Sequence, residues 1–316
     1  MKTISLLIPT YNEEDNVRIA FDRISKVMNG LSDRYTFELI FIDNYSTDKT
    51  RLLINDLCHE NKYVKAIFNA RNFGFIRSIF YGLTQAEGDG VILINCDMQD
   101  PPEVITKFIE EWESGYKVVV GVKNKSKENP IKFFFRKIYY KFIKMASDVE
   151  HISQFTGFGL YDASFIKILR ELKDPLPFLK GIIAELGPMF KEVEYLQDKR
   201  QHGKTKFNFF RLYDLAMLGI TSYTTIVLRM ATLIGFLMSI VCFCIAIYTF
   251  VLRLVIGNEF QMGMAAVIVG VFFLGSIQLF FIGLLGEYIL SINTRVMNRP
   301  LVVEEKRINF NEEEEI

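Results

Sequence analysis

The chain has 316 residues, and its 37 basic and 37 acidic side chains leave no formal net charge. A neutral chain has no global electrostatic field that would favour nucleic acid or an acidic partner. Half of the residues are hydrophobic and 29 are phenylalanine, which is high for a purely soluble enzyme, and the excess lies near the C-terminus. The four cysteines show neither disulfide nor zinc spacing, and no signal peptide precedes the first strand-like run, as is usual for a cytosolic domain.

Short apolar runs alternate with amphipathic segments through the first 122 residues. The runs predict strands over residues 3–8, 37–42, 64–68, 91–94 and 118–122. Helices are predicted between them, and Asn12 is placed to cap the first helix ahead of an acidic first turn. Strands that alternate with helices of this length predict an α/β domain with a mainly parallel sheet and helices on both faces.

Polar side chains follow four of these predicted strands at the point where each strand ends. They are Pro9 and Tyr11, Asp43 and Asn44, Asn69 and Arg71, and Asn95, Asp97 and Gln99. Surface turns that share no function would be distributed over both edges of the sheet. Because ligands of open α/β sheets bind at the carboxyl ends of the strands, this convergence predicts a binding site.

The turn after the fourth strand has the composition of a metal site. Asn95, Asp97 and Gln99 carry oxygen-bearing side chains at alternate positions, and Asp100 then precedes Pro101. Mg²⁺ and Mn²⁺ take such oxygens, usually one or two carboxylates together with the phosphates of a substrate. The alternative interpretation is a solvated turn with helix-capping residues, in which Asp100 is the cap.

Two segments are strongly basic. Residues 123–144 interleave cations, including Lys123 and Arg136, with aromatic side chains, a pattern that fits either a nucleic-acid surface or a membrane interface. Residues 199–211 contain Arg200 and Lys204 and no acid. They do not form a phosphate-binding P-loop, because Asp198 stands where the motif requires its first glycine.

Two uncharged runs follow, at residues 230–252 and 262–286, and each exceeds the ~20 residues that cross a bilayer. Core helices are the alternative, but the short connection between the runs favours a transmembrane hairpin after an amphipathic interfacial helix at 206–228. Cations flank the pair on the outside, so the positive-inside rule places both ends in the cytoplasm. The tail at 291–316 is predicted to be cytoplasmic, with a disordered acidic end at Glu312–Glu315.

Five motifs in order, followed by the hairpin, resemble the family 2 glycosyltransferases. They are PTYNE (9–13), STD (46–48), RNFG (71–74), CDMQDPPE (96–103) and RQHGKTK (200–206). The chain looks most like the polyprenyl-phosphate group, which includes dolichol-phosphate mannose synthase and the bactoprenol glucosyltransferases. Over residues 3–300, the resemblance implies a cytoplasmic GT-A domain at 1–205 and a multi-pass anchor in the plasma or inner membrane. The implied reaction is inverting transfer of a sugar from a nucleotide-sugar to a polyprenyl phosphate, with Mg²⁺ or Mn²⁺.

The resemblance also implies roles for individual residues. The nucleotide-sugar would be held by Pro9, Tyr11, Glu13, Asp43, Arg71, Asn95 and Asp97. The metal would be held by Asp97 and Gln99, with Asn95. Catalytic roles fall to Asp97, Arg200 and Lys204, and the acceptor phosphate would be met by Lys123, Arg136 and Arg200.

The sequence departs from the family pattern at three positions. Asn95 and Asn44 each stand where relatives usually or often have an aspartate, and Phe158 stands where many have a catalytic one. A phosphate nucleophile is already anionic at neutral pH, so the reaction needs a cationic cradle more than a strong base.

Two further functions stay open on the sequence alone. A catalytically degenerate membrane scaffold is one, and it would explain Asn95 and Phe158. A processive polysaccharide synthase is the other, but its Gln-x-x-Arg-Trp motif is absent, since Trp112 lies between two glutamates. Small residues in the second apolar run offer packing surfaces, so a homo-oligomer is expected.

Overall fold

The structure is a computed structural model that describes residues 1–123, 155–172, 174–187, 189–198, 226–256 and 264–310. The chain divides into a sheet unit (1–140, 149–209 and 294–316) and a helical unit (141–148 and 210–293). Several predictions lie outside the described residues: those on Arg136, Arg200 and Lys204, on most of the interfacial helix, and on the Glu312–Glu315 tail.

The sheet has eight strands in the order β7-β5-β6-β4-β1-β2-β3-β8. They are β1 Lys2–Thr10, β2 Tyr35–Asp43, β3 Val64–Asn69, β4 Gly90–Leu93, β5 Val118–Lys123, β6 Phe155–Asp162, β7 Phe190–Tyr195 and β8 Glu304–Ile308. The pairs β1–β2, β1–β4, β2–β3 and β5–β7 are parallel. All five predicted strands are therefore present, and the mostly parallel α/β sheet is confirmed.

Helices cover both faces of this sheet, as predicted. They are α1 Val17–Asn29, α2 Thr50–Glu60, α3 Phe75–Gln85, α4 Ile105–Glu113, α5 Ala163–Glu171 and α6 Leu179–Leu186. Alternate residues of β1 enter two cores: Leu6 packs with α1, α2 and α4, whereas Leu7 packs with α3, α5 and α6. Because both faces are covered, the central strands are apolar at nearly every position, which is why they were visible in the sequence.

The entry to α1 differs from the prediction. Asn12 is not the cap of the helix, which begins at Val17 and has no acidic residue in its first turn. Asn12 has a φ of 52° and lies in the left-handed region, where asparagine is tolerated better than most residues. Its side chain reaches the turn after β2, as described below.

Strand β8 comes from the predicted C-terminal tail. It pairs antiparallel with β3, with Ala66 opposite Ile308 and Phe68 opposite Lys306. The backbone N–H of Ala70 also donates to the carbonyl of Val303 at 2.9 Å. Residues 304–308 thus form the edge of the sheet.

The helical unit contributes α7, Ile226–Ile256, and most of α8, Met264–Val296. Among the described residues, one segment is long and apolar enough to span a membrane, Phe273–Val296, with 24 residues and a mean hydropathy of 1.7. A shorter apolar stretch covers Thr232–Cys242 in α7. The predicted two-span hairpin is therefore not confirmed.

Candidate active site

The carboxyl ends of six strands lie along one edge of the sheet. Strands β1 to β4 run in the same direction, and β6 is antiparallel to both β4 and β5, so β5 and its parallel partner β7 share that direction. This edge therefore collects Pro9 and Tyr11 from β1, Asp43 from β2, Arg71 after β3, Asn95 and Asp97 after β4, and Lys123 from β5. The convergence predicted for the groups after β1 to β4 follows from the strand order, and Lys123 lies at the same edge.

The turns after β1 and β2 are bound to each other. The Oδ1 of Asn12 accepts the N–H of Thr47 at 2.7 Å, and the N–H of Asn12 donates to the Oγ of Ser46 at 2.8 Å. The N–H of Glu13 donates to the Oγ1 of Thr50 at 2.8 Å. These bonds fix the segment that carries Tyr11 and Glu13 against the end of β2.

Asp43 is a buried carboxylate in the middle of this edge. It accepts hydrogen bonds from the backbone N–H of Ser46 at 3.0 Å, from the hydroxyl of Ser46, and from the hydroxyl of Thr10 at 3.3 Å. Arg51 lies 3.5 Å from it and also pairs with Glu305 of β8 at 2.8 Å. Burial raises the pKa of Asp43, and the contacts with Ser46, Arg51 and Thr10 act in the opposite direction. Arg51 and Glu305 thus stabilise Asp43, a role that no local sequence pattern predicted.

Three asparagines hold the RNFG loop. The Oδ1 of Asn44 accepts the N–H of Phe73 at 3.0 Å, and the Oδ1 of Asn72 accepts the N–H of Gly74 at 2.9 Å. These two backbone donors fix both amide orientations, so the Nδ2 of Asn44 donates to the Oδ1 of Asn72 at 3.0 Å. The Nδ2 of Asn69 also donates to Asn44, at 3.2 Å. An aspartate at position 44 could not make the donation to Asn72, which gives this family departure a physical reason.

The turn after β4 places its side chains alternately, as the sequence predicted. Asn95, Asp97 and Gln99 are partly exposed, whereas Cys96, Met98 and Asp100 are buried. Met98 has a φ of 51°, which turns the chain sharply after Asp97. One oxygen of Asp97 accepts the N–H of Gln99 at 3.3 Å. The three oxygen-bearing side chains therefore share the open side of the turn.

Asp100 anchors this turn from its buried side. Its two oxygens accept the Nδ2 of Asn95 at 2.9 Å and the hydroxyl of Tyr195 at 2.5 Å. Burial and the neighbouring Asp100 raise the pKa of Tyr195. The following short 3-10 turn, Pro102–Val104, has Pro101 at its N-cap position, so the interpretation of Asp100 as that cap is wrong. The N–H of Asp198 adds a bond to the carbonyl of Gln99 at 2.9 Å.

Phe158 belongs to the core beneath this turn. It is fully buried, with its ring 4.7 Å from that of Phe108 and 5.3 Å, edge-on, from that of Tyr195. Phe158 therefore supports Tyr195, whose hydroxyl donates to Asp100. Tyr195 was missed in the sequence, although it ends a strand at the same edge as the other site residues.

The residues after β4 fit a divalent ion whose remaining ligands come from the substrate. The described part of the chain contains no group of three or more His, Cys, Asp or Glu side chains placed to hold a metal. Asp97 offers a carboxylate, and Asn95 uses its Nδ2 on Asp100 and keeps its Oδ1 for a ligand. One carboxylate with amide oxygens suits Mg²⁺ or Mn²⁺ when substrate phosphates supply the remaining ligands.

Lys123 and the asparagine network lie on opposite sides of the turn after β4. Lys123 stands opposite Tyr195 in the β5–β7 register, two strands from β4, at roughly 10 Å by ordinary strand spacing. The further cations predicted for this side lie outside the described residues.

The chain is similar in sequence to a known protein family and to several known proteins. The family model described as glycosyl transferase family 2 matches residues 5–169. The bactoprenol glucosyl transferase of the SfII prophage in Shigella flexneri is 34% identical over 96% of this chain and 97% of its own length. A prophage bactoprenol glucosyl transferase homolog of Escherichia coli K12 is 33% identical over 94% and 96%. Among solved structures, glucosyl-3-phosphoglycerate synthase from Mycobacterium tuberculosis with UDP matches 70% of this chain and 79% of its own chain, at 16% identity and a TM-score of 0.47.

Proposed function

The chain belongs to glycosyl transferase family 2, and we propose that it transfers a sugar from a nucleotide-diphosphate sugar to a polyprenyl phosphate. The acceptor is inferred from the bactoprenol glucosyl transferases that match almost the whole chain. The observation that carries the proposal is the carboxyl edge of the sheet. There the hydrogen-bonded turns after β1–β3, the oxygen-bearing turn after β4 (the metal turn) and Lys123 at the end of β5 lie at the same edge of the sheet.

The nucleotide would lie over the ends of β1 and β2. Tyr11 and Glu13 are held there by the interlocked turns. We also assign Asp43 to the nucleotide, where it lies buried with its oxygens bound by Ser46, Thr10 and Arg51. Arg71 lies on the loop that Asn44 and Asn72 hold. A site built on hydrogen-bonded turns of this kind is organised before the donor arrives, which reduces the cost of binding.

Mg²⁺ or Mn²⁺ would be held by Asp97, with oxygens of Asn95 and Gln99. Such an ion neutralises the charge that develops on the leaving diphosphate. The chain's own contribution is to present these oxygens on one side of a turn that Asp100 and Tyr195 keep in place.

The acceptor phosphate would approach from the β5 side. Its anionic oxygen attacks the anomeric carbon as the bond to the diphosphate breaks, and the configuration at that carbon inverts. We assign Lys123 to the acceptor, together with Arg136 and Arg200, and place Lys204 with Arg200 as the catalytic cations. Because the nucleophile arrives deprotonated, a phenylalanine at position 158 removes no base that the step requires.

The return of β8 to the sheet supports an anchor with two spans. Strands β7 and β8 belong to the same sheet, so residues before α7 and after α8 must lie on the same side of any membrane. The number of crossings between them must therefore be even, and a span at Phe273–Val296 requires a second one. The 31-residue helix α7 is long enough to supply it. We place the sheet unit in the cytoplasm, where nucleotide-sugars are made.

The test is to offer purified full-length protein a panel of nucleotide-sugars with a short polyprenyl phosphate, and to follow the mass of the lipid product. We expect transfer of one sugar that requires Mg²⁺ or Mn²⁺, and its loss in Asp97→Ala. Asp33→Ala is the matched control, because Asp33 is exposed before β2 at the opposite edge. Absence of transfer with every donor, in protein that still binds a nucleotide, would favour the scaffold function instead. Full activity of Asp97→Ala would refute the metal assignment.

A further inference from the structure

Three arginines converge at the β3–β8 corner of the sheet unit. Arg71 follows β3, Arg77 lies in the first turn of α3, and Arg299 precedes β8. The guanidinium groups of Arg71 and Arg77 lie 5.4 Å and 5.8 Å from the ring of Phe73. Burial lowers the pKa of Arg77, and the charges of Arg71 and Arg299 lower it further, so both of these cations are close enough to act on Arg77.

The described part of the chain offers these cations no counter-charge. None of the three arginines has an ion pair with a described carboxylate, whereas most other arginines of the sheet unit do. A terminal nitrogen of Arg77 donates to the carbonyl of Pro300, which fixes the side chain. Its Nε–H is buried and has no hydrogen-bond partner among the described residues. A buried donor without a partner beside two further cations is the environment of an anion-binding site.

This corner is separate from the metal turn. Strand β3, which Arg71 follows, is three strand positions from β4, and at about 4.8 Å per strand the ends of the two strands are separated by roughly 14 Å. A single diphosphate bound at Asp97 does not reach that far. The anion at the corner is therefore a different group from the diphosphate of the donor.

The position of Arg299 in the chain indicates the source of the anion. Helix α8 ends at Val296, and its last 24 residues are the apolar segment that can span a membrane. Arg299 follows by three residues, where a chain that leaves the bilayer meets phospholipid headgroups and where cations are favoured.

We propose that Arg77 and Arg299, with Arg71 of the donor site beside them, form a binding site for the phosphate of an anionic membrane lipid, separate from the diphosphate of the donor and from the acceptor phosphate. The inference rests on the membrane location proposed above and not on the transfer reaction. Occupation of the site would reduce the repulsion on Arg77 and hold the segment at Pro300, and thereby β8, against α3.

The test uses full-length protein in a neutral detergent, with melting temperature as the readout. It is titrated with short-chain phosphatidylglycerol, with short-chain phosphatidylcholine and with inorganic phosphate. We expect phosphatidylglycerol to raise the melting temperature with a saturable dose dependence, and the two other probes to have little effect. Each arginine removed should weaken the apparent affinity about fivefold, which corresponds to about 1 kcal/mol per cation at an anionic surface.

Arg299→Gln is the primary variant, because Arg299 is exposed and the change should not disturb folding. Arg77→Gln with Arg299→Gln should lose about 25-fold. Lys26→Gln with Lys62→Gln is the matched control, since both lysines are exposed and lie away from this corner. Equal affinity of Arg299→Gln and the unaltered protein would overturn the proposal. An equal response to phosphatidylcholine, or to inorganic phosphate, would overturn the assignment to an anionic lipid. None of these readouts depends on sugar transfer, so failure of the proposed function would be seen separately.

Discussion

Tyr195→Phe tests whether β7 holds the metal turn. The change removes one hydroxyl and keeps the ring that packs on Phe158. Asp100, which is 1% exposed, would keep Asn95 and lose the bond from Tyr195. A buried hydrogen bond to a charged group contributes about 1.5–3 kcal/mol to the free energy of unfolding. At about 2–4 °C per kcal/mol for a domain of this size, the melting temperature should fall by about 3–12 °C.

The same change should also weaken the metal site. Loss of a residue that orients the ligands of a metal typically costs about 10-fold or more in affinity or activity. The assay is sugar transfer at increasing Mn²⁺, which gives the apparent metal affinity, together with a thermal melt of the same protein. Tyr116→Phe is the control, because the described residues offer the hydroxyl of Tyr116 no hydrogen bond.

The two readouts separate two claims. An unchanged melting temperature in Tyr195→Phe would show that the bond to Asp100 contributes nothing to the fold. A lower melting temperature with an unchanged Mn²⁺ dependence would show that Tyr195 stabilises the unit but does not position Asp97.

Three further predictions concern the rest of the sheet unit. Asn44→Asp should lower the free energy of unfolding by about 1–3 kcal/mol, because it places a carboxylate against the Oδ1 of Asn72. Thermal or denaturant melts measure this change, and an unchanged free energy of unfolding would refute the role of the asparagine network. Burial and Glu113 raise the pKa of Tyr35 from 10.0 to about 12, so its stabilising contribution is full below pH 10 and is lost as the pH rises towards 12. Melts at pH 9 and 11 should show this loss, and Tyr35→Phe should lack it. A chain that stops at Val303 should melt at a lower temperature and be cut more readily near β3, and equal protease resistance would speak against β8 as an edge strand.

The central sheet was predictable because its strands are buried on both faces. Runs such as 91–94 are apolar throughout, and each is followed by a polar turn, so both the strand and the position of its end were visible. Because ligands of α/β sheets bind at the carboxyl ends of the strands, the sequence alone placed Asp43 and Asp97 at the same edge.

Strand β8 was not predictable in this way. Its sequence, EEKRI, has one apolar residue, and it is held by its backbone pairing with β3 and by contacts such as Arg51–Glu305. Those partners lie more than 200 residues earlier in the chain. Local periodicity carries no information about a charged edge strand whose stability comes from a distant partner.

The contacts that hold the metal turn could not be predicted from the sequence, for the same reason. Asp100 and Tyr195 are 95 residues apart, and an aspartate before a proline has the local pattern of a turn or a cap. Only the β5–β7 pairing brings the end of β7 to this part of the edge. Asn12 is a similar case, since its partner Thr47 belongs to the next strand's turn.

The edge position of β8 also sets an order of events during biosynthesis. Strand β3 ends at Asn69 and β8 begins at Glu304, so 234 residues are translated between them. At about 5–20 residues per second this takes roughly 12–47 s, during which β3 has an open edge. Both long helices are synthesised within that interval. The sheet unit is therefore completed only after both long helices have been made.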